Sequence, residues 1–361
     1  MSTPVTTLAA GSPKEPRPAE RLLRLGPSIR IRVHRRSVTV GLALLVAIVA
    51  IGVVTLGTGD YPISVPDTID TLLGGGTPIQ HFIIDTLRLP RLLTGLLVGA
   101  ALAVGGALFQ SLSRNPLGSP DVVGFNSGAA TGALIVLLVL HGSMAAVSLG
   151  AILGGVGTAL AVYVLAMRRG VSGYRLILVG IGMAAMLESV NSYLLTRSDL
   201  NEAQSAAAWL VGSLNGRSWE QVRPVALALV LLLPAAVRVA RDLTLLELGD
   251  DTARGLGVHA ERTRLAAIVV GIGLSAVATA SAGPIGFIAL AAPQVARRLT
   301  RAQGPGVIPA ALCGAMLLTG SDLAAQRIFA PTQLPVGVAT GVVGGLYLAW
   351  LLSREWKKGR G

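Results

Sequence analysis

Val38-Thr39-Val40-Gly41-Leu42-Ala43-Leu44-Leu45-Val46-Ala47-Ile48-Val49-Ala50-Ile51-Gly52-Val53-Val54-Thr55-Leu56 runs for nineteen residues without a charge. A helix needs about 20 apolar residues to cross the hydrocarbon core of a bilayer. Runs near that length recur at 89–110, 122–140, 144–167, 175–196, 222–240, 265–282, 286–300, 306–321 and 335–352. The chain therefore reads as an all-α polytopic membrane protein of about ten transmembrane helices, with 286–300 and 306–321 the shortest.

Composition leads to the same class. Of 361 residues, 52% are hydrophobic and 13% charged, and the mean hydropathy is +0.67. A soluble chain carries about 25% charged residues. Two or three soluble domains would suit the length, but so few charges could not cover their water-facing surface. Disorder, a coiled coil and a secreted disulfide scaffold are excluded on the same composition, and a single cysteine, Cys313, allows no internal disulfide.

The net charge of +12 could suggest nucleic acid, but the cations are sorted by topology. If ten helices start from an inside N-terminus, 24 of the 30 Lys and Arg fall in inside segments. Outside are Arg88, Arg91, Arg197, Arg217, Arg223 and Arg327. This is the positive-inside bias, and it places both termini in the cytoplasm. Residues 1–37 read as a disordered basic tail and not as a cleaved signal peptide, because the following run is too long and lacks an A-x-A site. The membrane domain is 38–353, and 354–361 is a short C-terminal tail.

Two connections are long. Residues 197–221 face out and hold Ala206–Val211, an apolar piece too short to span. Residues 241–264 face in and read as two short helices, 243–248 and 249–257; this loop is a partner contact or a solvated connector. Glycines at four-residue spacing, Gly95/Gly99, Gly150/Gly154, Gly337/Gly341 and Gly341/Gly345, suit close helix crossings.

Enzymatic parts are missing. There is no G-x-x-x-x-G-K-[ST] loop for nucleotide phosphates, no H-E-x-x-H, no Cys/His cluster for a metal and no G-x-S-x-G elbow. The one mid-span acid is Glu188. At helical spacing it shares a face with Gly180, Ala184, Asn191 and Leu195. Two readings stand: that face lines a pathway, or Glu188 and Asn191 hydrogen-bond between helices.

Four motifs together carry a resemblance: Leu87-Arg88-Leu89-Pro90-Arg91-Leu92 running on to Asn115-Pro116-Leu117-Gly118-Ser119-Pro120; Trp209-Leu210-Val211-Gly212-Ser213-Leu214-Asn215-Gly216; Leu248-Gly249-Asp250-Asp251-Thr252-Ala253-Arg254-Gly255-Leu256-Gly257; and Gly283-Pro284-Ile285-Gly286-Phe287-Ile288 with Ala292-Pro293-Gln294. In order and spacing they resemble the permeases of type II ABC importers for iron–siderophores, haem and vitamin B12, over about residues 40–353. The form of the second and fourth motifs is nearer the siderophore permeases.

The resemblance implies ten helices per subunit, a second permease subunit as homo- or heterodimer, two ATPase subunits and a substrate-binding lipoprotein or periplasmic protein. ATP-Mg then belongs to the ATPase partners, and this chain binds no cofactor and performs no covalent chemistry. Leu248, Gly249, Asp250, Ala253, Arg254, Leu256 and Gly257 would form the coupling element on the ATPase. Arg88, Arg91 and Arg327 would dock the binding protein or anchor the membrane interface. Ser172 and Tyr174 precede the fifth span, where the family places an inner gate; Tyr174 reads equally as an aromatic-belt residue. Ala184, Glu188 and Asn191 would line the translocation path. Pro90 would open the second span, where its missing N–H is harmless. Two positions depart from the family pattern: Gln333 stands where relatives often have Glu, and Gln294 where many have His. The rival class is a secondary transporter working alone.

Overall fold

Each of the ten apolar runs is helical in the computed structural model, which describes residues 21–24, 30–33, 35–166, 173–301, 304–328, 330 and 333–358. The helices are α1 (Arg35–Gly57), α2 (Val65–Leu72), α3 (Pro78–His81), α4 (Leu89–Ser113), α5 (Phe125–Leu134), α6 (Met144–Ala166), α7 (Gly173–Arg197), α8 (Leu200–Leu210), α9 (Trp219–Leu246), α10 (Asp250–Gly255), α11 (Ala260–Ala282), α12 (Ile288–Thr300), α13 (Val307–Ile328) and α14 (Val336–Lys358). Among the described residues seven reach membrane length: α1, the continuous Pro78–Ser113 helix, α6, α7, α9, α11 and α13. The remaining three fall short of an apolar span: Phe125–Val139 and α12 are shorter than the runs read from the sequence, and α14 loses its apolar character before its end. Phe125–Val139 and Val336–Trp350 are short apolar helices, and α12 has thirteen residues. Gly124, at φ +80, begins the first of these late, and the Gly283–Gly286 turn and the Arg297–Arg298 pair bound α12 at its two ends.

Outside the bundle, Arg21–Arg24 pairs antiparallel with Arg30–Val33, inside the segment expected to be an unordered tail. At the other end α14 runs on to Lys358, so the expected boundary at 353 lies within a helix.

The helix containing α4 starts earlier than Pro90 predicts. The chain is helical from Pro78, and Phe82–Arg88 forms a π turn. The amide of Leu89 bonds to the carbonyl of Ile84, five residues back. Continuing that pattern, Pro90 would have to donate to Asp85 and has no N–H. The Asp85 carbonyl is taken instead by the indole N–H of Trp219, at 2.9 Å. A helix start is expected at Pro90; the helix begins earlier, and local widening accommodates the proline within it, as π turns commonly allow.

Helix α4 is the centre of the bundle and packs on α9, α11, α12 and α13. Its small residues permit this. A methyl at Gly99 would overlap the Gly314 carbonyl of α13, and one at Gly314 would overlap Gly99. The α5–α6 pair crosses in the same way, Gly128 and Gly132 against Gly150 and Gly154. Gly337 is closed against the Val211 carbonyl, whereas Gly341 and Gly345 have open space beside them. The four-residue glycine pattern thus marks crossings at Gly99, Gly150, Gly154 and Gly337 and none at the last two.

Gly314→Val should destabilise the protein by about 1–3 kcal/mol, the usual range for overpacking a tight crossing. Gly341→Ala should leave stability unchanged. Thermal unfolding of the two variants in the same detergent checks both.

Candidate functional site

Side-chain hydrogen bonds gather the helix ends into two polar layers. At one, Arg88 Nη1 donates to the carbonyl of Leu56 and Nη2 to that of Tyr61, both at 2.6 Å. Arg91 grips Asp322 of α13 with two bonds of 2.9 Å, from Nε to Oδ2 and from Nη2 to Oδ1. Its Nη1 donates to Gln333 Oε1 at 3.2 Å, and Gln326 Nε2 donates to Asp322 Oδ2 at 2.7 Å. The Arg91 and Asp322 side chains are only 12% and 5% exposed. A two-pronged guanidinium–carboxylate pair fixes both distance and angle, so this one clamps α4 to α13.

Sequence reasoning grouped Arg88, Arg91 and Arg327 as docking residues, and the structure separates them. Arg88 and Arg91 spend their donors inside the chain. Arg327 is exposed, within Coulombic reach of Arg88, and makes no ion pair among the described residues. Gln333 has a defined use: it accepts from Arg91 as a neutral group beside the single carboxylate of Asp322.

The opposite layer holds the loop between α9 and α11. The expected short helix 243–248 is the last part of α9, which continues to Leu246 because Leu243 and Leu246 are buried in the core. Gly249, at φ +108, then turns the chain into α10, and Gly257, at φ +82, ends that element. Both values lie where L side chains are strained. Asp250 receives two bonds from Arg264 Nη2, at 2.9 and 2.8 Å, and Arg114 Nη2 stands 3.6 Å from it. Arg114 also donates to the Leu246 carbonyl at 2.6 Å, and Ser111 donates to Glu247 at 2.9 Å. Asp250 and the buried Ala253 therefore anchor the element inward. Leu248 and Leu256 point away and are 64% and 59% exposed, with Arg254 exposed alongside. Two large apolar side chains on an otherwise polar end form a contact surface. Beside it a cleft of about 580 Å³ is lined by Arg114, Glu247, Arg297, Arg298 and Arg301.

The proposed pathway face divides. Asn191 is buried and turned to α5, where its Oδ1 accepts from Thr131 Oγ1 at 2.6 Å. Gly180 and Ala184 face the turn at Gly124. Glu188 is exposed, as are Ser189 and Ser192. Glu188 and Asn191, three residues apart, lie on neighbouring positions of the helix, but within this chain only Asn191 is packed and Glu188 is left at the exposed edge of that stripe. Ser172 lies outside the described residues, and so does the side chain of Tyr174, whose backbone begins α7. Gln294 is buried and donates to Gln110 Oε1 at 2.6 Å, a neutral bond between α12 and α4.

Sequence reasoning passed over Asp121. It lies in the turn Pro120–Val123, which packs on α7, and accepts from Asn126 Nδ2 at 2.7 Å. Burial pushes its carboxyl up to about 7. The Asp-Val-Val-Gly sequence between two apolar runs was the available signal.

A bundle of apolar helices around one backbone-close core, with an ordered contact element at one polar end, has the build of a polytopic membrane protein that meets a partner at that end. The chain belongs to the FecCD transport family, whose model matches residues 44–354. It is 46% identical over 328 residues to the ferric enterobactin transport system permease protein FepG of Escherichia coli (strain K12), covering 91% of this chain and 99% of that one. It is 36% identical to the Fe(3+)-citrate import system permease protein YfmE of Bacillus subtilis (strain 168), covering 91% and 98%. A metal-chelate type ABC transporter solved in an inward-facing conformation superposes with a TM-score of 0.77 at 29% identity, covering 88% of this chain and 99% of that chain.

Arg91→Ala should cost about 3–5 kcal/mol, because it leaves the buried Asp322 carboxylate without its counter-charge. Arg91→Met with Asp322→Leu should recover most of that loss in denaturation measurements. Asp121 gives a pH signature. Its folded value lies above the unfolded one near 3.9, so its contribution to stability is full below about pH 4 and is lost as pH rises through about 7. Asp121→Asn should flatten the pH dependence of the melting temperature and gain most at pH 8.

Proposed function

We propose that this chain is the permease subunit of an ATP-driven importer that carries a ferric siderophore across the plasma membrane of a bacterium. The observation that carries the reading is the near-full-length match to a ferric enterobactin permease, joined by relatives for ferric citrate. The chain lacks a P-loop, so ATP-Mg is held by two separate ATPase subunits. The exposed Leu248, Arg254 and Leu256 meet them, and Asp250 with Arg264 and Arg114 passes the displacement of α10 to α11 and α4. A second permease subunit covers the exposed Glu188 side of α7, and the path for the chelate runs there. The binding protein docks at the Arg91 end, where Arg327 is the exposed cation. The 24-to-6 partition of cations, counted for ten helices from an inside N-terminus, supports that end as the outer one and both termini as cytoplasmic.

Removing this gene should abolish uptake of iron-labelled siderophore and spare labelled cobalamin. Loss of cobalamin uptake alone would overturn the substrate class. Failure to co-purify with any ATPase would overturn the importer reading in favour of a transporter working alone.

Leu256→Asp should weaken ATPase association at least tenfold, the effect of losing about 1.4 kcal/mol of apolar contact, with folding intact. Gly257→Asp should instead strain the loop and uncouple ATP hydrolysis from uptake. Pull-down of the ATPase and transport assays in vesicles separate the two outcomes.

A further inference from the structure

Helices α6 and α9 both pack on α11, and a cleft of about 630 Å³ lined by all three remains open. It lies at the Arg91 end of the bundle, where α6 and α9 begin and α11 finishes. Val277 and Ala280 of α11 form the floor, and Ile152, Leu227, Ala228 and Leu231 are among the wall residues. Its edges are apolar and exposed: Met144 on α6, Leu227 and Leu231 on α9. All three sit on membrane-length helices, so the cleft opens on an apolar flank of the bundle.

The mouth is different in kind. Arg217 and Glu220 stand there with Gln221 and Trp209. Arg217 spends its Nε on the Ser213 carbonyl, at 3.0 Å. Among the described residues no carboxylate pairs with Arg217 and no cation pairs with Glu220. Desolvation alone weakens the hold of Arg217 on its proton, which is the environment of a cation that lacks its counter-charge.

The occupant follows from these two parts. Ordered water needs two to four polar partners, and the floor offers few. An acyl chain between the apolar walls restores the dispersion contacts that an empty gap forfeits. One unpaired cation and one unpaired carboxylate at the mouth match a phosphate and an ammonium on a single headgroup.

We infer that this cleft is a site for a zwitterionic glycerophospholipid of the phosphatidylethanolamine class, with an acyl chain between α6 and α9, its phosphate on Arg217 and its ammonium toward Glu220. The lipid acts as a removable wedge that completes the α6–α11–α9 surface in the leaflet on the Arg91 side. The inference needs only that the chain is embedded in a membrane, so it stands or falls apart from the transported chelate.

Native mass spectrometry of the delipidated permease complex, titrated with phosphatidylethanolamine, phosphatidylglycerol or diacylglycerol of matched chains, tests it. One tightly held phosphatidylethanolamine is expected, bound about tenfold more weakly after Arg217→Gln and lost after Ala228→Phe, which fills the cleft. Equal binding of diacylglycerol, or no change on Ala228→Phe, would overturn the site. Equal or tighter binding of phosphatidylglycerol, unaffected by Glu220→Gln, would overturn the headgroup. If Ala228→Phe fails to fold, quenching by lipid with brominated chains replaces it, with Trp209 kept as the single tryptophan. Strong quenching that Arg217→Gln relieves supports the site, and absence of quenching sinks it.

Discussion

Close backbone approach along α4 is the constraint on which the remaining architecture depends. In a bilayer the lipid tails are as apolar as leucine, so burying apolar side chains between helices gains little over leaving them in lipid. What holds such helices together is contact at short range, and contact at short range requires small residues. Gly99 of α4 and Gly314 of α13 each occupy the space where the other would carry a methyl, and Gly105 and Gly106 meet α11 and α12 in the same manner. A helix with bulky side chains at these positions could not have four neighbours at once. Because α4 is fixed by so many of them, groups at its two ends become reference points. Arg88 and Arg91 lie at one end, Ser111 and Arg114 at the other.

The polar bonds at those ends work differently from the crossings. They define register. Arg91 on Asp322 sets how far α13 slides along α4, Trp219 on the Asp85 carbonyl does so for α9, and Arg264 on Asp250 ties α10 to α11. In a low-dielectric setting an unpaired member of such a set is expensive, so each pair disfavours neighbouring registers more than it stabilises the native one. An importer subunit that changes shape has reason for this division. Rigid crossings along the helices let them move as bodies, and discrete bonds at the ends transmit the motion.

Much of this was legible in the sequence. Apolar run length located a helix in each of ten places, and seven of those among the described residues have the length a bilayer imposes. Charge counting sorted the cations between the two ends, and the polar layers found at the helix ends agree for Arg88, Arg91 and Arg327 on one side and Arg114, Arg264 and Arg297 on the other. What remained hidden were the pairings. Nothing near Arg91 in the sequence names Asp322, 231 residues away, so an arginine at a helix end was open to being read as a docking group. The helix start at Pro78 was hidden for a related reason. Pro90 marks a break only if no other donor can take the carbonyl it leaves free, and that donor, Trp219, comes from another helix. The inward and outward halves of 248–257 likewise depend on Arg264, whose partner no local pattern reveals.

The side of α7 that bears Glu188 follows from the same energetics. An ionised acid at the centre of a bilayer costs at least about 2.5 kcal/mol on insertion scales, and here it is exposed, flanked by Ser189 and Ser192. The packed stripe of α7 is used on α5 and on the turn at Asp121, so no rotation of the helix would hide Glu188 without exposing Asn191 and breaking its bond to Thr131. The polar side of α7 must then be covered by something other than lipid, either water in a passage or another polypeptide. A subunit whose own packing forbids it from burying its one mid-span acid is incomplete by itself, and that incompleteness is the physical reason to expect a second permease subunit against this helix.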